Sequence, residues 1–511
     1  MNNSSRTTNS MRNMGAGVLL SLLGYVVTFV SRTVFVKLLG NDYLSIEGLL
    51  TNVVTVLSFT ELGLGSASVY CLYKPIAEKN SSKINGLLKY FKKLYKYITL
   101  ATFVLGFLLI PLLPYLVQMD ELSFSNSYFT FVYILFVINT ASSYVLIHKK
   151  LLLIADQRNY VANIIQQSIH ISQIVLQIVF LLMTKNYIIF LLIQICCTLL
   201  SNIVTALYVN QKYHDLFSAD IQEIGSDDKK DITTNIKSIF IYKLGSVFLN
   251  GTDNLIISGF LKTLLVGICS NYVLVISSIN RILMESFNGV AASIGNHVST
   301  ADVNQQHRIF SQLDTLCSFL YTIVTICLAC LLNPFINIWL GDYYILGVPT
   351  VLALVSTFYV TGVNQIPSLY RTSYGLFKNA KYFPIAAAVT NIIFSIILAK
   401  VMGLIGVFIT TSIVKLLFYT AVDSWLIYSK EFKSSVLIYW KNYIYRFAIC
   451  ILGYILISNI LKCFSGNGIS GLIVIFVVCF LTSSLFVLLA YLPLNSFRLV
   501  FNRIRTSVIK R

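Results

Sequence analysis

The sequence has few charged residues and little proline for its length. Of 511 residues, 11% are charged and eight are proline, whereas an average soluble domain is about 25% charged. Hydrophobic residues make up 56% of the chain, and the mean hydropathy is +0.77. A soluble domain cannot bury that much apolar side chain. The composition therefore excludes a soluble enzyme, a nucleic-acid-binding module and a disordered chain, and indicates a polytopic membrane protein.

Motifs for chemistry are missing as well. The chain has no G-x-x-x-x-G-K-[ST] phosphate-binding loop, no nucleophile-elbow motif and no cluster of zinc ligands. Ten cysteines lie in or beside apolar runs, and the pair Cys327 and Cys330 has no second C-x-x-C to complete a metal site. We expect the cysteines to pack within the membrane. We also expect no built-in ATPase, no metal, no cofactor and no enzymatic activity.

Long apolar runs dominate the sequence instead. A helix needs about 20 apolar residues to cross a bilayer. Fourteen runs meet this requirement, and we predict an all-α integral membrane protein with fourteen transmembrane helices. The runs are 15–36, 43–72, 98–117, 128–147, 161–183, 188–209, 239–260, 266–294, 316–338, 346–370, 382–401, 405–428, 444–461 and 469–492.

Positive charge indicates the orientation. With both termini inside, 29 of the 38 Lys and Arg residues fall in cytoplasmic segments, including Arg446, five fall in outside loops and four fall within runs. This bias follows the positive-inside rule, so the net charge of +18 is a topology signal and not a nucleic-acid footprint. We expect a multi-pass protein of the bacterial cytoplasmic (inner) membrane with both termini in the cytoplasm.

The chain divides into two halves. We predict an N-lobe of helices 1–6 (1–210), a cytoplasmic linker (211–237), a C-lobe of helices 7–12 (238–430), and helices 13 and 14 with a basic tail (431–511). Weak matches, such as Ala67-Ser68 with Ala292-Ser293, indicate a parallel repeat. Two six-helix lobes around a central cleft plus a C-terminal helix pair are a transporter architecture.

Polar residues recur at helical spacing inside several runs, most clearly in runs one, two, seven and eight. An ionisable group there costs about 2.5 to 3.5 kcal/mol on insertion scales, so by default it marks a cavity. In run ten, Pro367 predicts a kink. Candidate substrate-path residues are Arg32, Lys243, Arg281, Lys415, Asn250, Asn254 and Arg371. Candidate ion-coupling residues are Glu61, Asp253, Glu285 and His170.

Simpler interpretations remain open for several of these residues. Arg281 and Glu285 are four apart and are placed to form an ion pair. His170 lies on a glutamine-rich face and fits an interhelical hydrogen bond as well as a proton relay. Glu47 is placed near the outer end of its run, where an interfacial carboxylate is expected, and Asp423 near the inner mouth, where it can reach water. Arg32 and Lys415 have no obvious partner within one turn.

Several stretches resemble a known family. They are RTVFVKLLG (residues 32–40), ELGLGSA (61–67), TDNLIIS (252–258) and ASIGN (292–296). Together with the fourteen runs, they resemble the polysaccharide-transport branch of the multidrug/oligosaccharidyl-lipid/polysaccharide flippase superfamily over roughly residues 10–430. The resemblance implies that Arg32 and Asp253-Asn254 are functional positions. It implies a flippase that moves undecaprenyl-pyrophosphate-linked oligosaccharides by alternating access, for capsule, O-antigen or another surface polymer.

The resemblance also implies the partners, which are the lipid-linked oligosaccharide, membrane lipids and other polysaccharide-assembly proteins, with no nucleic acid. A multidrug/cation antiporter and a peptidoglycan-precursor flippase of the same superfamily remain as alternatives. A membrane polysaccharide polymerase is a distant one, because such an enzyme is expected to need a large outside loop that this chain lacks.

Overall fold

The computed structural model describes residues 3–58, 64–118, 122–156, 158–218, 220–222, 225, 240, 243–288, 290, 294, 295, 297, 298, 301–464 and 468–499. Regular structure in these residues is helical throughout, with no strand. The chain is an all-α integral membrane protein, as its composition predicts. It folds into two compact units, Met1–Gly267 and Ile268–Arg511, and each is described by itself. The predicted lobe boundaries stay predictions.

The first unit contains eleven helices and the start of a twelfth. They are α1 (Asn3–Leu57), α2 (Leu64–Ala77), α3 (Ser81–Leu109), α4 (Leu113–Leu116), α5 (Asn126–Ser143), α6 (Ile147–Ala155), α7 (Asn159–Thr184), α8 (Tyr187–Lys212), α9 (His214–Phe217), α10 (243–251), α11 (Asp253–Phe260) and α12 (Thr263–Asn288), in the part of the chain that is described.

The second unit contains the rest of α12 and nine further helices among its described residues. They are α13 (Val303–Leu340), α14 (Val348–Val363), α15 (Gln365–Ser373), α16 (Phe377–Ala380), α17 (Phe383–Met402), α18 (Leu404–Lys415), α19 (Ala421–Leu426), α20 (Leu437–Leu461) and α21 (Gly468–Tyr491). Two wider π-helical turns, Leu416–Thr420 and Ile427–Glu431, flank α19. The continuous helix Leu404–Glu431 is therefore locally underwound.

The predicted count of fourteen spans is not confirmed. Within the described ranges, nine helices are long and apolar enough to cross a membrane, and ten if α5 and α6, bent by 43°, form one span. Four predicted runs have no counterpart among these helices. These runs are 15–36, 43–72, 239–260 and 346–370.

Breaks in the helices explain most of this difference. The run 43–72 is divided between α1, which ends at Leu57, and α2, which begins at Leu64, whereas the run 15–36 lies whole within α1 before Gly40. The run 239–260 is divided between α10 and α11 at Thr252. The run 346–370 is divided at Asn364, four residues after Val360 and three before Pro367. Because Pro367 has no N–H and its ring crowds the carbonyl four residues earlier, the helix breaks there, and the predicted kink is confirmed.

The core of the first unit lies under α3. Its buried face, with Leu87, Leu88 and Phe91, packs against Leu152 of α6 and Val209 of α8. Asn85 ties the same face to the end of α9 by donating a hydrogen bond to the Leu216 carbonyl over 2.7 Å. The N-terminal half of α3 is thus part of the folded unit.

A buried ion pair joins α20 to α13 in the second unit. Arg446 Nη1 lies 2.5 Å from Asp314 Oδ2, and the two side chains are 2% and 3% exposed. The guanidinium also donates to Ser318 Oγ over 3.0 Å and to Thr315 Oγ1 over 2.7 Å. Arg446 therefore lies nine residues inside α20 and not in a loop, and its assignment to the cytoplasmic side stays a prediction.

Candidate functional site

The candidate site of the first unit is organised by the bend in α1. Gly40 has φ 82° and ψ −172°, a conformation that glycine adopts without the steric cost of a Cβ atom. The bend divides α1 into a first arm (3–39) and a second arm (41–57). At 1.5 Å per residue, positions eight before and seven after the bend both lie about 11 Å from it. These positions are Arg32 and Glu47, and the bend brings their side chains together.

The two side chains form an ion pair. Arg32 Nη1 lies 3.3 Å from Glu47 Oε2, with side-chain exposures of 17% and 27%. The pair is therefore only partly covered by protein. Glu47 lies 15 residues after Arg32 in the chain. The partner of Arg32 is therefore not within one helical turn of it, as the sequence indicated. Sequence reasoning placed Glu47 at the interface and missed this contact.

Aromatic side chains hold both arms in place. Phe35 of the first arm packs edge-on against Tyr187 and Phe190 of α8, with ring centroids 5.6 and 5.3 Å apart. Tyr43 of the second arm contacts the same Tyr187 ring at 5.3 Å. Because one buried tyrosine touches both arms, the spacing between Arg32 and Glu47 is fixed by packing.

The second arm is also bound to the helices that follow the linker. Asn41 and Ser45 donate hydrogen bonds to the Leu264 carbonyl over 3.0 and 3.2 Å. The Gly267 amide donates to Ser45 Oγ over 3.2 Å. Further along, the Asn254 amide group lies 3.5 Å from the Gly48 carbonyl. The arm and the α10–α11 segment are therefore antiparallel neighbours.

We expect Gly267→Ala to destabilise the protein. A Cβ atom at this position would overlap Ser45 Oγ and lie 2.5 Å from Asn41 Oδ1 and 3.0 Å from the Ser45 backbone nitrogen. Overpacking of this kind costs about 1–3 kcal/mol, which a thermal unfolding scan in detergent measures. Gly24→Ala is the control, because a Cβ there meets Gln167 at an ordinary 3.7 Å. Equal melting temperatures of the two variants would contradict the prediction.

Polar side chains stay exposed on the helices around the ion pair. Thr51 and Thr55 follow Glu47 at intervals of four on the second arm, and both are exposed. We call these two threonines, together with four exposed residues of α7 and α10, the first-unit polar stripes. The four are Asn163, Gln166, His170 and Asn250. Both carrier helices are neighbours of α1 within one unit.

The remaining first-unit candidates have distinct environments. Asn250 donates its side-chain amide to the Ser246 carbonyl over 2.8 Å, and its helix face is exposed. Lys243 is half-buried on α10. Asp253 is the first residue of α11 and half-buried. His170 is exposed on α7. Glu61 lies outside the described residues.

The second unit holds the other candidates in two kinds of setting. Arg281 and Glu285 are both exposed on α12, and no ion pair joins these two described side chains. Lys415 is half-buried at the end of α18. Arg371 is different, because its Nε lies 3.0 Å from Asp423 Oδ1 and the two side chains are only 5% and 3% exposed.

The residue at which the helix breaks adds a hydrogen bond to the Arg371–Asp423 pair. Asn364, at the junction of α14 and α15, donates its side-chain amide to the other carboxylate oxygen of Asp423 over 3.2 Å. The pair thus fixes α15 against α19, and Asp423 does not reach water as the sequence suggested. A buried, hydrogen-bonded pair of this kind has little charge left to offer a ligand.

Comparison with known proteins gives a fold. No protein-family model matches the chain, and no curated protein sequence matches it significantly. The structure titled Lipid II flippase MurJ, in an inward closed conformation, aligns with a TM-score of 0.66 at 14% identity. The alignment covers 93% of this chain and 98% of that one.

Multidrug transporter structures align as well. A MATE family multidrug resistance transporter of the MOP superfamily, in an inward-facing conformation, has a TM-score of 0.58 at 14% identity and covers 79% of this chain and 93% of that one. The Vibrio cholerae MATE transporter VcmN in its bent form has a TM-score of 0.52 at 13% identity, covering 84% and 98%. The chain therefore shares the fold of transporters from this superfamily.

Proposed function

We propose that the protein is a flippase. It moves undecaprenyl-pyrophosphate-linked oligosaccharide repeat units across the bacterial cytoplasmic membrane for surface polysaccharide export, by alternating access. One observation carries the proposal: α1 holds a partly exposed arginine, Arg32, and the helices next to α1 carry exposed polar side chains although they are otherwise apolar. Exposed polar groups at membrane depth line water or a polar ligand, and arginine is a strong phosphate binder.

The polar stripes suit a sugar head group. Threonine hydroxyls and side-chain amides, as in Thr51, Thr55, Asn163, Gln166 and Asn250, both donate and accept hydrogen bonds, as sugar hydroxyls do. The apolar lipid chain needs no such groups and remains in the bilayer. The hydrogen bonds from these side chains replace those that the sugar head group makes with water.

The broken helices support alternating access. Spans divided into two parts near a binding site are typical of transporters, and repeats rock against each other around that site. Here α1 is bent at Gly40, α10 and α11 are separated at Thr252, and α14 and α15 at Asn364. In the absence of an ATP-binding motif, we propose that an ion gradient, the membrane potential or consumption of the product drives transport. Asp253, Glu285, His170 and Glu61 are the coupling candidates.

A deletion strain tests the proposal. Lipid-linked oligosaccharides are labelled in sealed right-side-out vesicles with a membrane-impermeant oxidant, before and after permeabilisation. We expect the completed glycolipid to be protected inside intact vesicles of the deletion strain and oxidised in vesicles of the complemented strain. An unchanged glycolipid distribution together with normal surface polymer would contradict the proposal.

Two rival functions have their own readouts in the same strain. A peptidoglycan-precursor flippase has the same pyrophosphate chemistry, and the fold likeness to a lipid II flippase supports it; its loss would leave lipid II inside. A multidrug/cation antiporter is supported by an exposed carboxylate in a membrane span, Glu285; its loss would raise sensitivity to cationic dyes and leave glycolipids unaffected.

A further inference from the structure

The Arg32–Glu47 ion pair differs from two other arginine–carboxylate pairs among the described residues. The pairs Arg371–Asp423 and Arg446–Asp314 are at most 5% exposed and are supported by further hydrogen bonds. Arg32 and Glu47 are 17% and 27% exposed. Protein therefore covers this pair less completely than it covers the other two, which leaves room for a ligand to reach it.

The hydrogen bond between Arg32 and Glu47 is also weak for an arginine–carboxylate pair. Charge-assisted N–H···O bonds are usually about 2.7–2.9 Å long, and the strong arginine–carboxylate pairs are bidentate. Here a single bond joins Nη1 to Oε2 over 3.3 Å. A guanidinium has five N–H donors, and this is the one bond that Arg32 makes with a described residue.

We infer that Glu47 occupies Arg32 when no substrate is bound and exchanges with an anionic phosphate group of the transported molecule. This inference rests on the proposed function. Without a partner, a cation at this depth is costly, so the carboxylate stabilises the empty state. When a phosphate arrives, the guanidinium turns from a single carboxylate oxygen to the phosphate oxygens, which fit its planar fork.

The surroundings allow exchange by side-chain movement alone. The backbone of the second arm is held by the hydrogen bonds of Asn41 and Ser45 to Leu264, and the first arm is held by Phe35 against the α8 rings. Glu47 extends from this fixed backbone on three rotatable bonds. The exposed Thr51 one turn away offers a hydroxyl near the displaced carboxylate.

Pyrophosphate binding tests the exchange. Inorganic pyrophosphate is titrated into the purified full-length protein in nanodiscs, and binding is measured by calorimetry for the wild type and for Glu47→Gln, Arg32→Gln and the double variant. If the pair is closed about nine-tenths of the time, Glu47→Gln binds about tenfold more tightly, because apparent affinity scales with the competent fraction. Arg32→Gln and the double variant are expected to bind equally weakly, since the gain requires the guanidinium.

Controls separate exchange from a general charge effect. Glu78→Gln removes a carboxylate of the same unit from an exposed pair with Lys74, whose atoms lie 3.9 Å apart, and is expected to leave affinity unchanged. If Glu47→Gln does not yield folded protein, Glu47→Asp, one methylene shorter, is expected to show the same tightening. Wild-type affinity in the Glu47 variant, or tightening that persists in the double variant, would overturn the inference.

The exchange at Arg32 and the proposed substrate can be refuted independently of each other. Tighter pyrophosphate binding by Glu47→Gln, with an unaffected glycolipid in the deletion strain, would refute the proposed substrate and leave the exchange standing. A trapped glycolipid in the deletion strain, with no change in pyrophosphate affinity, would refute the exchange and leave the flippase standing.

Discussion

Replacing Arg32 with glutamine is expected to lower the rate of glycolipid translocation by roughly 10- to 100-fold. A hydrogen bond to a charged group contributes about 1.5–3 kcal/mol, and about 1.4 kcal/mol is a factor of ten in rate. Glutamine keeps a polar side chain but loses the positive charge and the fork of donors. Translocation is measured in proteoliposomes that contain a fluorescent undecaprenyl-pyrophosphate glycolipid, with a membrane-impermeant quencher outside.

The control for Arg32 lies on the same arm. Lys37→Gln removes an exposed positive charge five residues further on and is expected to preserve the translocation rate. Arg32→Lys is expected to recover only part of the rate, because an ammonium is a point charge without the planar fork. Equal rates for Lys37→Gln and Arg32→Gln would show that net charge matters and that the position of Arg32 does not.

The largest effect on stability is expected from Asp314→Ala. Removing one partner of a buried ion pair leaves the other charge uncompensated and costs about 3–5 kcal/mol. Arg446 would remain at 2% exposure with the hydroxyls of Ser318 and Thr315 and the backbone carbonyl of residue 314 as its hydrogen-bond partners, none of which carries a charge. We expect a strongly reduced yield of monodisperse protein and a lower melting temperature by fluorescence-detected size-exclusion chromatography.

A second variant shows whether the loss comes from the unpaired charge. In the double variant Asp314→Leu/Arg446→Met both charges are removed, and hydrophobic replacement of buried pairs is often neutral or stabilising. We therefore expect most of the stability to return. Glu78→Ala, which breaks an exposed pair, is expected to change the melting temperature little. A double variant as unstable as Asp314→Ala would contradict this explanation.

The class of the protein and several local features were predictable from the sequence. Low charge and long apolar runs predict an all-helical membrane protein, because these quantities are averages over many residues. The break near Pro367 was predictable as well, since it follows from the covalent geometry of one residue. The division of the 239–260 run at Thr252 also had a signal in the sequence, because Asn250-Gly251-Thr252-Asp253-Asn254 interrupts the apolar pattern with residues that favour turns.

Long-range pairs explain most of what the sequence could not reveal. Arg446 and Asp314 are 132 residues apart, and a hydropathy window does not indicate that one charge is neutralised by another helix. Glu47 was closer to being predictable. Gly40 separates two apolar runs, and Arg32 and Glu47 are nearly equidistant from it, so a bend at the glycine already suggests their contact.

The bend at Gly40 also has an evolutionary consequence. Each residue advances a helix by about 100°, so one inserted or deleted residue between positions 32 and 47 would turn one partner of the ion pair away from the other. Related chains should therefore tolerate length changes before Arg32 or after Glu47 more readily than between them. Where one of the two charges is lost in such a chain, the other should often be lost with it, because each charge stabilises the other in the empty state.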